Sequence, residues 1–87
     1  MTVYDWYDKK NQKLKKERNI SFEEVIVAIE SKKLLDIVKN KRRHKNQKIF
    51  IVEIDNYAYC VPFEDKKEKV ILKTIFLSEK ATKKYLL

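Results

Sequence analysis

The sequence predicts an α+β domain: two N-terminal helices, a three-stranded antiparallel β-meander and a short C-terminal helix, with helices layered on one sheet face. Three observations carry this expectation. "SFEEVIVAIE" at 21–30 is a helix-start signature followed by apolar residues at helical spacing. Residues 48–77 hold three β-like runs separated by polar turns. Ser78 then precedes "EKATKKYLL", a short run that a serine can cap.

Residues 5–18 are rich in lysine and free of Gly and Pro, and Trp6, Lys10 and Leu14 stand four residues apart on one helical face. They predict helix one. Asn19 suits its end, because asparagine tolerates the left-handed conformation better than other non-glycine residues. In the second helix, about 22–31, the Ser21 hydroxyl and the Glu24 carboxylate form a capping box, and Phe22, Val25, Ile26 and Ile29 make the apolar stripe. "LLDIV" at 34–38 fits either an extension of that helix, a short strand or an anchor. "KIFIVEI" at 48–54, "YAYCVPF" at 57–63 and "KVILKTIFL" at 69–77 predict the strands. Asp55–Asn56 suits a tight hairpin without glycine, "EDKKE" at 64–68 a longer polar turn, and Pro62 an irregularity or free edge at its own position.

At 87 residues, with no repeat or composition break, the chain is read as one domain over 1–87. No run approaches the roughly 18–20 apolar residues that span a bilayer, and no secretory signal is apparent at the N-terminus. A single cysteine, Cys60, cannot form an internal disulfide, which together with these two observations favours a reducing cytoplasm, and no membrane partner is expected in the absence of a spanning run. Cys60 and His44 are the only soft ligands, which makes a zinc site implausible; no metal and no cofactor are expected. Cys60 itself, inside a strand-like run, reads as a small buried hydrophobe.

The net charge of +8 steers anionic partners: RNA, DNA, an acidic protein or a membrane surface. Residues 9–18 and 39–48 hold twelve of the 21 Lys+Arg against one acid, Glu17, which concentrates the charge in two places. RNA cleavage is the chemistry such a chain can perform unaided. Attack of a ribose 2′-OH on the adjacent phosphate needs a base, cations for the transition state and an acid for the leaving oxygen. His44 can be base or acid near neutral pH, and Arg42, Arg43 and Lys48, with Lys45 beside them, can hold phosphate. A solvated loop explains the same run without function. Tyr57 and Tyr59 alternate on one strand, so they either stack on bases or pack in the sheet; Trp6 and Tyr85 read as packing residues.

"WYDKKNQKLKKERNISFEEVIVAI" resembles the opening of BrnT-type toxins, the ribonuclease partners of type II toxin–antitoxin modules. Trp6, Lys10, Ile20, Ser21, Phe22 and Glu23 fall at matching spacing, and "SEKAT" at 78–82 resembles the family's ending. The family's positions in and after the first helix are occupied here by Leu14, Glu17, Arg18 and Asn19, with Arg18 keeping a cation. Glu79 stands where the family carries an arginine, with Lys73 and Lys80 as neighbouring cations that could compensate. The resemblance implies a RelE-like fold, a metal-independent endoribonuclease and a small antitoxin, often of ribbon-helix-helix type, through which DNA is met only indirectly. The chemistry of the basic run and the resemblance together make His44, Arg43 and Lys80 the candidate catalytic residues, and Lys10, Arg18, Arg42, Lys45, Lys48 and Lys73 the candidate RNA-binding ones. A catalytically inactive relative that binds RNA or an acidic antitoxin is the alternative.

Overall fold

The structure is a computed structural model that describes residues 2–40 and 47–87. Its element order is β1 (Val3–Asp5), α1 (Asp8–Arg18), α2 (Phe22–Glu30), β2 (Leu34–Lys39), β3 (Gln47–Ile54), β4 (Tyr57–Lys66), β5 (Lys69–Leu72), β6 (Phe76–Leu77) and α3 (Glu79–Leu86). The α+β class holds. The expected meander is present as β3–β4–β5, but it is the centre of a six-stranded mixed sheet ordered β1-β5-β4-β3-β2, with β6 also on β4.

Local signals fix most element ends. The Ser21 hydroxyl accepts from the Glu24 amide and the Glu24 carboxylate accepts from the Ser21 amide, at 3.2 and 2.8 Å, closing the capping box. The chain has no glycine, so other residues supply every left-handed position among the described residues: Asn19 after α1, Lys32 after α2, and Asp55 and Asn56 in the β3–β4 turn. Lys32 and Lys33 donate to the carbonyls of Ile29 and Ala28, a Schellman stop that prevents "LLDIV" from prolonging α2. That segment instead becomes β2, paired antiparallel to β3 at the sheet edge.

Three expectations about element boundaries are corrected. Helix one begins at Asp8 rather than residue 5, because Val3–Asp5 lies parallel to β5, a partner 66 residues away in register (Val3 opposite Lys69). The β4–β5 connection is the two-residue turn Lys67–Glu68, with Glu64–Lys66 still in the strand. The run 69–77 is broken in two. Lys73 donates to the Pro62 carbonyl at 2.8 Å, and proline has no N–H to return that bond. From Leu72–Phe63 to Phe76–Cys60 the β5–β6 side advances four residues against three, so a bulge sits opposite Pro62.

Helices cover both sheet faces, not one. Alternation sends Phe50, Val52, Val61, Phe63, Val70 and Leu72 to a core with Leu14 of α1 and Phe22, Val25 and Ala28 of α2. Ile51, Ala58 and Cys60 point the other way, under Ala81 and Tyr85 of α3. Asn11, 1 % exposed, ties α1 to α2: its carbonyl accepts from the Phe22 amide at 2.8 Å and its amide donates to Glu23 at 2.7 Å. Ser78 caps α3 by accepting from the Ala81 amide, as expected. No helix among the described residues is long and apolar enough to cross a membrane.

The Tyr85 hydroxyl donates to Asp36 at 2.5 Å and clasps α3 to β2, while the same carboxylate accepts from the Ile37 amide. First the Tyr85 bond, then the Ile37 amide and the Lys84 charge hold the Asp36 carboxyl below its ordinary 3.8, outweighing slight desolvation. A depressed carboxyl stabilises the fold above its unfolded pKa, and that contribution is lost as pH falls through the folded value. Tyr85→Phe is therefore expected to be less stable than the wild type at neutral pH, with a gap that narrows below about pH 4. Urea titrations of both proteins on either side of that window check it.

Candidate nucleic-acid interface

The edge where β1 runs into α1 gathers cations around one aromatic ring. Tyr7 follows β1 and occupies the N-cap position of α1 with extended backbone. Trp6 and Tyr7 divide between environments: Trp6 packs on Phe22, with ring centroids 5.6 Å apart, whereas Tyr7 is 72 % exposed. Over the Tyr7 ring, 5.9 Å from its centroid, stands the Lys73 ammonium, within cation–π range. A shallow groove lined mainly by apolar atoms runs from Tyr7 past Asp8, Lys9, Lys10 and Lys13. A second, smaller and more polar depression shares Lys10 and Lys13 with it and is lined also by Leu14, Glu17 and Arg18. Lysine stems and a phenol ring thus form the floor, and ammonium groups the rim.

Several of these cations are already engaged. Arg18 donates one guanidinium N–H to the Ile75 carbonyl at 2.8 Å, closing the strand break next to Lys73. Lys13 lies 4.0 Å from Glu17, and Lys15 3.6 Å from Glu23. Among the described residues no carboxylate pairs with Lys9, Lys10 or Lys16, and these carry the unbalanced charge of α1.

Lys73 also approaches Glu64, its Nζ 3.4 Å from Oε1, while Lys66 lies 4.0 Å from Oε2. Glu64 stands opposite Gln47 in the β3–β4 ladder. Desolvation raises the Glu64 carboxyl, but the Gln47 side-chain hydrogen bond and the Lys73 and Lys66 charges together leave it below the ordinary carboxylate value. Alternation places Glu64 and Lys66 on the sheet face that α3 covers farther along, over Ala58 and Cys60.

Of the residues expected from sequence, Lys10, Arg18 and Lys73 come together on this edge. Lys48 does not: it is exposed on β3, opposite Lys39, forming a second pair of cations. Lys80 is exposed in the first turn of α3, which starts where Ser78 donates to Ala58, at the other end of β4 from Glu64. Glu79 is exposed in the same turn. Arg42, Arg43, His44 and Lys45 lie outside the described residues. Tyr59 packs against the core beneath α2, Tyr57 remains 53 % exposed, and Cys60 is buried, with desolvation raising its thiol above a Ser78 hydrogen bond that lowers it.

Sequence reasoning missed Tyr7 and Glu64. Tyr7 had a signal: beside an inward Trp6 and before "DKK", the next aromatic must face away from the core. Glu64 had none, since its standing depends on Gln47 and Lys73, which are near it only across strands. No known protein family, no curated protein and no solved structure matches this chain.

Proposed function

We propose that this chain binds RNA along the Tyr7–α1 edge and acts as the metal-independent endoribonuclease of a toxin–antitoxin pair, of the kind its sequence resembles. The observation that carries the reading is the exposed Tyr7 ring amid Lys9, Lys10, Lys13 and Lys73. A solvated helix would explain lysines on α1. It does not explain an aromatic ring left 72 % exposed among them, whereas single-stranded RNA uses both parts, bases stacking on the ring and phosphates meeting the cations. The RelE-like fold and a ribbon-helix-helix antitoxin that covers the basic face belong to this proposal, as does a cytoplasmic site of action.

Induced expression of the chain alone should arrest growth and degrade cellular RNA, and purified protein should cleave an oligoribonucleotide equally well with and without EDTA. A second reading, binding without cutting, is favoured by Glu79 in the first turn of α3, an anion where the resembling family has an arginine. Tight RNA binding with an intact oligonucleotide and no growth arrest would select it.

A further inference from the structure

We propose that Glu64 is the proton acceptor for RNA cleavage and that Lys73, whose ammonium stands over the Tyr7 ring, holds the scissile phosphate beside it. This rests on the ribonuclease reading and gives it a place on the molecule.

The geometry joins three functions through the Lys73 ammonium. Tyr7 offers a ring to a base, Lys73 stands 5.9 Å from that ring, and the Lys73 ammonium is 3.4 Å from the Glu64 carboxylate. Lys73 links the two: a nucleotide whose base meets the free face of the Tyr7 ring and whose phosphate meets Lys73 has the Glu64 carboxylate beside that ammonium. The carboxylate is held rather than loose. Gln47 bonds it from β3, Lys66 faces it from β4 and Lys73 from the β5–β6 link, and its side chain is 34 % exposed. These two lysines also cancel the repulsion that an unpaired carboxylate would exert on RNA.

The step balances without a cofactor. The 2′-OH proton passes to a Glu64 carboxylate oxygen as O2′ bonds to phosphorus. The P–O5′ bond breaks, and its electron pair stays on O5′, which takes a proton from water. The hydroxide left behind removes the proton from Glu64. The products are a 2′,3′-cyclic phosphate and a 5′-hydroxyl, and the enzyme returns unchanged. Lys73 neutralises charge on the non-bridging oxygens, as cations do in phosphoryl chemistry.

Single-turnover cleavage of a single-stranded oligoribonucleotide tests this, with affinity measured in parallel on a 2′-deoxy copy. Glu64→Gln should slow cleavage about 10²-fold, the low end of a general base's contribution because a carboxyl held below its ordinary range is a weak base, without weakening binding to the deoxy strand. Wild-type cleavage should also fall as pH drops through the Glu64 carboxyl range, a limb absent from any residual Glu64→Gln activity. Glu64→Asp, which keeps a carboxylate, should retain that limb and cleave faster than Glu64→Gln, a ranking that a merely structural role would not produce. Cleavage by Glu64→Gln at the wild-type rate would overturn the assignment and leave the ribonuclease reading standing. A wild type that binds RNA and cuts none would overturn both.

Discussion

Phe22→Ala is expected to destabilise the protein by about 3–5 kcal/mol, the range for emptying an aromatic core site. Phe22 is fully buried as the first residue of α2, and the Trp6 ring lies against it. Its backbone amide, which alanine keeps, donates to Asn11, so the loss expected is that of the buried ring where α1, α2 and the β1 exit meet. A small domain has about 5–15 kcal/mol in total. The substitution should therefore leave a large unfolded fraction near physiological temperature, visible as loss of the cooperative thermal transition. A normal melt would mean that the two helices dock through some other contact.

The second large effect concerns affinity. Tyr7→Ala removes the exposed aromatic ring of the basic edge, and base–aromatic stacking is worth about 1–3 kcal/mol per base. RNA affinity should fall roughly 5- to 150-fold at constant salt, by the RT of 0.59 kcal/mol that links the two scales. Stability should change little, because the ring touches solvent and the Lys73 ammonium rather than the core. Fluorescence anisotropy with a labelled oligoribonucleotide, next to a thermal melt, separates the two. Tyr57→Ala serves as control: it removes an equally polar aromatic, 53 % exposed, at the hairpin end of β4.

What could be read in the sequence was local. The capping box, the Asn19 and Asp55–Asn56 positions and the Ser78 cap each depend on residues within a few positions of one another, and each stands where expected. What could not be read depends on distant partners. Val3–Asp5 is a strand only because β5 offers a free edge, and three residues give too short a pattern to outweigh the helical spacing behind them. The break at Lys73 follows from Pro62 on the neighbouring strand, although the proline itself announced an irregularity. For the site, lysine counting found α1 and thereby Lys10 and Arg18. It could not rank them, since Arg18 is engaged with the Ile75 carbonyl while Lys10 is not engaged with a carboxylate. Glu64 lay in a segment read as turn, and its register against Gln47 and the approach of Lys73 make it part of a cluster.

The placement of RNA on the α1 edge is tested most directly by the salt dependence of affinity. Each phosphate held by a cation contributes about 0.7 to the slope of log K against log salt for a single strand. Lys10→Glu combined with Lys13→Glu should flatten that slope by about 1.4, if each lysine holds one phosphate. Lys80→Glu combined with Lys83→Glu, an equal charge change on exposed residues of α3, should leave the slope as it is in the wild type. Equal slopes for all three proteins, or flattening only in the α3 variant, would contradict an RNA path along Tyr7 and α1.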